Sequence, residues 1–461
     1  MQENLKNRPL LIIGLAVLLL FILSLLPGNI HVGPFIIKPV DLFMDIKPDS
    51  LLGQSIYENS KLKNTNLSPE EASVFNFSLS SQKYTDYESY DAAVTSGFSG
   101  NVASLKPFFD ALKTAGSNPV RIAHFGDSEI EGDLVSSDIR QMLQEKFGGR
   151  GAGFLSVTSQ DVSLRNSIKQ SFSRDWHTSS IFVGNSGSMF TGVAGTVSRP
   201  GANAWVKFET TGRFKNLRTF RKVRIFYSNA KSSSFISCNF DNKKDIKAEL
   251  NSGSSVKEVV LNADNDAKSF KFSASEGVAD FYGVSIENEN GVYLDNLSFP
   301  GSTGSSLKDL SVSVLKDFNT LLNYKLIILS FGSDIISSKI SNYNQYEREM
   351  IRAVNFLKTA FPQAGILIMS VGDRGLKKGD SVVSDSNVPA LVNTQKKIAE
   401  KTGVAFWNLY DAMGGANSAS GWYNSKLVMA NGDYTHLTML GANKIAELFN
   451  LAVMQEIKKS N

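Results

Sequence analysis

In the C-terminal third of the chain, short apolar runs alternate with amphipathic stretches: "YKLIILSFG", "QYEREMIRAVNFLKTAF", "GILIMSVG", "VPALVNTQKKIAEKTG", "VAFWNLY" and "MLGANKIAELFNLAVMQEI". The short runs have strand length and composition, and the stretches between them carry apolar residues at helical spacing. Strands separated by helices do not close as hairpins; they build a parallel sheet with helices on both faces. The same unit occurs earlier, in "PVRIAHFG" followed by "DLVSSDIRQMLQEKFGG". It comes after an amphipathic helix, "NVASLKPFFDALKTAG", with Leu105, Phe108, Phe109 and Leu112 on one face.

Between residues 149 and 290 that rhythm stops. "AWVKFETTG", "KVRIFYSN", "SSFISCNFD", "VKEVVLNAD" and "SFKFSAS" are short, β-rich and separated by Gly, Asn, Asp and Ser turns, the pattern of an antiparallel sandwich. The expected architecture is an α/β domain of residues 101–150 and 290–461, with a β-sandwich of residues 151–289 inserted into it.

The N-terminal "MQENLKNRPLLIIGLAVLLLFILSLLPG" sets Lys6 and Arg8 before an apolar run, residues 10–26, that contains no charged side chain. At about 1.5 Å per residue this run just spans a hydrocarbon core. A cleaved signal has a shorter apolar region and a small-x-small exit, whereas this run ends in Leu-Leu-Pro-Gly. Residues 1–27 are therefore expected to be a cytoplasmic tip and transmembrane anchor in the inner membrane, with the basic flank inside and the bulk of the chain in the periplasm or its equivalent. Residues 28–100, polar and rich in Ser, Asn, Tyr and Lys, hold too little periodic apolar surface to offset their ordering entropy and read as an extracytoplasmic tether. A formal charge of +4 on 48 basic and 44 acidic side chains, with no long basic block, argues against a nucleic-acid partner. One cysteine, Cys238, excludes an internal disulfide, and four histidines without Cys/His clustering give no metal pattern.

Gly126-Asp127-Ser128 falls where a parallel strand ends, and ligand crevices of such sheets lie outside the carboxyl ends of the strands. A serine there is either a nucleophile or a turn and N-cap residue. "NGDYTHLTMLGANKIAELF" adds Asp433 and His436 in an Asp-x-x-His spacing before the last helix. A serine hydroxyl needs a base, and the base needs a partner that fixes its tautomer; one loop can hold both. The plainer reading is that Asp433 and His436 cap the final helix. Of the other histidines, His31 lies beside the apolar run, His124 is a packing residue within a strand, and His177 falls in the β-rich region.

With these motifs in this order the chain resembles the SGNH (GDSL) hydrolases over about residues 103–150 and 290–459. The resemblance implies a flavodoxin-like three-layer α/β domain, Ser128 as nucleophile, His436 as base, Asp433 as its orienting acid, and no cofactor. It also implies an oxyanion hole formed by Ser128, a glycine of "LDNLSFPGSTGSSL" (Gly301 before Gly304) and an asparagine amide from a third block. There the sequence departs, because "LSFGSDII" has Gly332, Ser333 and Asp334 where the family has Gly-x-Asn. An ionised carboxylate cannot donate, and losing one oxyanion donor costs roughly 2.7 to 4 kcal/mol. Two substitutes are open: Asp334 kept protonated by burial, or the cation Arg374 of "MSVGDRG".

The insert makes the chain similar to bacterial peptidoglycan O-acetylesterases, in which a carbohydrate-binding-like sandwich takes this place. Trp176 or Trp205 would then stack on sugar rings or pack in the sandwich core. Trp407, Asp411 and Trp422, in "FWNLYDAMGGANSASGW", are either pocket-wall or packing residues. The function implied is a membrane-anchored O-acetyl esterase acting on an acylated glycan. The alternatives are O-acetyl transfer with a membrane O-acyltransferase as partner, and a glycan-binding protein without activity.

Overall fold

A computed structural model describes residues 30–32, 35–37 and 96–459, except 160, 182–188, 289, 338–341 and 380. The expected anchor lies outside the described residues, among which no helix is long and apolar enough to cross a membrane. In the unit of residues 1–89, Ile30–Val32 and Phe35–Ile37 pair as an antiparallel hairpin. Everything that follows concerns the unit of residues 90–461.

Its central sheet contains β1 (Ser99–Gly100), β2 (Pro119–Gly126), β3 (Gly291–Ser298), β4 (Tyr324–Ser330), β5 (Gly365–Met369) and β6 (Ala405–Trp407), in the spatial order β3-β2-β4-β5-β6-β1. All pairs are parallel except β6 with β1. Among the five parallel strands the first lies between the second and the third, the flavodoxin-like order, whose switch point falls between β2 and β4. Alternate residues face opposite layers. Phe406 points into the core shared with α3 (Val312–Leu322), α4 (Asn344–Ala360) and α5 (Val388–Thr402). Trp407 points the other way, edge-on to Phe449 of α6 (Met439–Lys459), which packs beside α2 (Ser136–Phe147). The expected α/β layering is present.

Between β2 with its helix and β3, the antiparallel strands from Gly153–Ser156 to Asp280–Glu287 form a six-stranded and a five-stranded sheet around a core that includes Val206, Ile225, Phe272 and Phe281. The sandwich is fused to the α/β domain. Phe154, Phe226 and Tyr282 from it surround Phe318 of α3, with ring centroids 5.9, 5.6 and 5.3 Å from that ring. The chain leaves and returns at one point, where Val292 N–H donates to Gly148 O at 2.9 Å. A Cβ on Gly291 would lie 2.1 Å from Gly149 N, so only glycine fits this crossing.

A buried ion network crosses the same junction. Arg121 of β2 donates to Asp295 of β3 at 2.7 and 2.9 Å, and it also pairs with Glu287 of the sandwich. Asp295 accepts further from Phe154 N–H at 2.8 Å and Tyr324 OH at 2.7 Å, and Arg224 reaches Glu287 at 3.4 Å. Every carboxylate here has a cation and extra donors, the condition under which buried charge is tolerated.

Candidate active site

At the end of β2, Asp127 rather than Ser128 is the cap. Its Oδ1 accepts from Glu129 N–H at 3.1 Å, opening the 3-10 turn Ser128–Asp133. Its Oδ2 accepts from Gly332 N–H at 2.8 Å and Ser333 N–H at 3.0 Å, which sews the end of β2 to the turn after β4. Burial lifts the Asp127 carboxyl above its ordinary range, against the pull of these N–H groups. Ser128 is thereby held, half-buried, at the switch point with its hydroxyl released from capping duty.

Behind this turn the backbone is strained. Asp133 and the β-branched Val135 both take positive φ, 67° and 61°, before α2 begins. A buried two-pronged pair, Arg140 to Asp133 at 2.8 and 2.9 Å, holds them there. His124, fully buried in β2, bridges the Oγ atoms of Ser330 and Ser136 at 2.9 Å each, and burial pushes its imidazole down to about 3. It is a neutral packing residue beneath the site.

The Asp-x-x-His segment is a closed loop before α6. Asn431 N–H donates to His436 O at 2.8 Å, and Tyr434, with φ 57°, donates to Asn431 O at 2.9 Å and accepts from Gly375 N–H at 2.8 Å. Its ring stands edge-on to Tyr423 at 4.8 Å. The turn folds Asp433 back, so that Oδ1 accepts from the N–H groups of Thr435 and His436 at 3.0 Å each and Oδ2 takes Nδ1–H of His436 at 2.6 Å. Burial opposes ionisation of Asp433, but these bonds outweigh it and hold the carboxyl below its usual range. The same bond raises His436 above its ordinary 6.5 against desolvation, and Asp334 adds to the rise. A carboxylate only accepts, so Nδ1 carries the proton and Nε2 is the basic atom. The cap of α6 is Thr438, whose Oγ1 accepts from Gly441 N–H at 3.2 Å, and the capping reading of Asp433 and His436 fails.

Neither the Ser128 hydroxyl nor Nε2 of His436 has a hydrogen-bond partner among the described residues, although Glu129, next to Ser128, lies within electrostatic reach of the imidazole. Catalytic hydrogen bonds in substrate-free enzymes are often long and tighten in the reacting complex.

Beside the turn is a cavity of about 60 Å³, whose wall includes the apolar Ile130, Val135, Met369, Leu409 and Met413 and the charged Asp127, Glu129, Asp373 and Arg374. Arg374 lines it; its Nη1 donates to Ile336 O at 3.1 Å, and its buried Nε has no partner among the described residues. A Cβ on Gly301, with φ 73°, would meet no other atom within 4 Å, whereas a Cβ on Gly304 would meet Met350 Sδ at 2.7 Å, so Gly304 serves packing. Asp334 is exposed, which removes the burial that a proton-bearing Asp334 would need.

For the tryptophans the structure decides between pocket and core. Trp407 is fully buried, with Nε1 donating to Ser96 O at 2.8 Å; it is core and not pocket wall. Trp422 is buried in the helix Ser418–Asn424 and is absent from the cavity wall, and Asp411 donates its N–H to the cap Asn408 of the helix Leu409–Met413 and accepts from Asn408 Nδ2 at 2.6 Å. Trp176 is buried against Phe272 and Phe281. Trp205 alone of the two sandwich candidates is accessible, lining a groove of about 620 Å³ with Phe235 and Lys247. Sequence reasoning missed Glu129 and the wall residues Leu409 and Met413, which carry no motif. It also missed the hairpin Gly375–Lys378 with Ser381–Ser384 that braces Tyr434.

No family model matches the sequence, and no curated protein matches it. Among solved structures, a peptidoglycan O-acetylesterase is similar with a TM-score of 0.64 at 17% identity, over 78% of this chain and 99% of that one. A family two carbohydrate esterase from Cellvibrio japonicus matches with a TM-score of 0.27 at 11% identity, over 64% of this chain and 99% of the other. The chain therefore has the fold of a peptidoglycan O-acetylesterase, the fold that its resemblance to the SGNH hydrolases implies.

Proposed function

We propose that this protein is a serine esterase that removes small O-acyl groups, acetyl first, from a cell-envelope glycan, held at the outer face of the inner membrane by residues 10–26. The observation that carries the reading is the Asp433–His436 pair, which fixes the proton on Nδ1 and leaves Nε2 as a free base. Ser128 Oγ attacks the ester carbonyl carbon while His436 takes its proton. The tetrahedral species collapses, the sugar oxygen leaves with the proton from the imidazolium, and an acetyl-Ser128 ester remains. Water, deprotonated by His436, attacks that ester and acetate departs. The N–H groups of Ser128 and Gly301 are the proposed oxyanion donors, and Arg374 places a cation on the cavity wall. A small cavity walled by aliphatic and methionine side chains suits a methyl group better than a long acyl chain.

A protein with this fold acts on peptidoglycan, which makes O-acetylated peptidoglycan the first substrate to test. The test measures acetate release from it, and from p-nitrophenyl acetate, by the full chain in detergent beside Ser128→Ala. Release that disappears in the variant is the expected result. Equal release by both proteins overturns the reading. A lasting acetyl-Ser128 with transfer to glycan but no net acetate would favour the transferase alternative, with a membrane O-acyltransferase as its partner.

A further inference from the structure

The site described above lacks an amide at position 334, and the residue that follows Ser128 is itself a potential donor. Glu129 directly follows Ser128, its backbone is fixed by Asp127, and it lines the cavity beside the turn. Its carboxyl has no hydrogen-bond partner among the described residues. The groups around it are mostly carboxylates from three elements: Asp127 of its own turn, Asp334 of the turn after β4, and Asp433 of the histidine loop. Two basic groups are nearby, and neither is paired with Glu129. His436 is bonded through Nδ1 to Asp433, and Arg374 donates to Ile336 O. Asp373, also on the cavity wall, accepts from Ser384 Oγ at 2.7 Å and Ala419 N–H at 3.0 Å.

We propose that Glu129 carries a proton in the working enzyme and donates a hydrogen bond from its carboxylic O–H to the acyl oxygen of the ester at Ser128, in place of the missing amide. This rests on the serine-esterase reading. The proton stays on Glu129 throughout; the bond strengthens as negative charge grows on the acyl oxygen, so it stabilises the transition state more than the bound ester. The cluster supports the neutral form. Burial, with Asp127, Asp334 and Asp433 adding to it and His436 opposing it, pushes the Glu129 carboxyl up to about 8. An uncharged carboxyl has a neutral stand-in of the same shape, glutamine, which also donates.

The test compares kcat/KM against pH for the wild type, Glu129→Gln and Glu129→Ala, with Ser128→Ala as the blank. Infrared difference spectra of the resting protein accompany it, since a protonated carboxyl has a carbonyl band that a carboxylate lacks. The wild type is expected to lose activity as pH rises through about 8, because ionised Glu129 repels the oxyanion. Glu129→Gln should keep turnover within a few-fold and lose that alkaline limb. Glu129→Ala should fall about 100- to 1000-fold at all pH values, as removal of an oxyanion donor does. Glu129→Gln as impaired as Glu129→Ala, or Glu129→Ala as active as wild type, overturns the proposal. A neutral-pH spectrum in which Glu129→Gln removes no protonated-carboxyl band overturns it whatever the activities. If the wild type shows no Ser128-dependent turnover while that band is present, the esterase reading has failed and the protonation has not.

Discussion

The two ends of one strand, β2, handle charge in opposite ways. Near its start, Arg121 sits in a balanced cluster in which Asp295 and Glu287 each have a guanidinium and further donors. Past its end, Asp127, Glu129, Asp334 and Asp433 gather with one imidazole among them. Burial disfavours the Glu287 carboxylate, yet Arg121 and Arg224 outweigh it and hold the group below its ordinary 4.5. At the other end the same penalty meets more negative charge and Glu129 moves upward. Matched charge buried at a junction ties parts together; like charge gathered at a rim stores proton affinity that chemistry can use.

Four substitutions break or sharpen this contrast, from the largest effect down. Ser128→Ala should reduce turnover about 10⁶-fold with an unchanged melting temperature, since the rim contributes little to folding; kinetics and calorimetry on the same preparation check both halves. Asp433→Asn should lower kcat about 10³-fold, less than the roughly 10⁴-fold of a buried triad, because the side chains of His436 and Asp433 are 57% and 50% exposed. It should also shift the acid limb of the pH profile downward, because the bond that raises His436 is lost.

Arg121→Met acts at the junction. It leaves Asp295 and Glu287 without their main cation and should cost about 3 to 5 kcal/mol in urea unfolding, with kcat unchanged in the folded fraction. Its profile should differ most above pH 4.5: the wild-type Glu287 value is depressed in the fold, so its stabilisation is present above the unfolded value and is lost as pH falls through the folded one. Glu129→Gln gives the opposite sign. Unfolded Glu129 ionises above its ordinary 4.5 while the folded group keeps its proton to about 8, so wild-type stability declines between those values. Glutamine should flatten that decline in denaturation midpoints measured across the range, and an unchanged slope would place the titration elsewhere.

The strands and helices were legible because periodicity reports burial, and "YKLIILSFG" or "VPALVNTQKKIAEKTG" have one reading each. Ser128, Asp433 and His436 stood out because nucleophile and base chemistry uses few residue types. Trp407 and Trp422 were ambiguous because an indole serves a core as well as a pocket, and only the register of β6 shows that Trp407 faces α6. Glu129 gave no signal, since a glutamate after a turn ordinarily faces water; its role comes from carboxylates brought close by Asp127 binding the turn after β4. The hairpin beside Tyr434 was too short and polar to show a period.

The place of the sandwich in the chain also has a kinetic consequence. β2 emerges from the ribosome long before either neighbour, since its bonds to β3 join residues as far as 174 positions apart. Until the whole insert has been made, an apolar strand has both edges open, a state prone to wrong pairing and slow to resolve. If the chain is threaded across a membrane as it is made, the order in which its segments become available would decide how much reaches the native state.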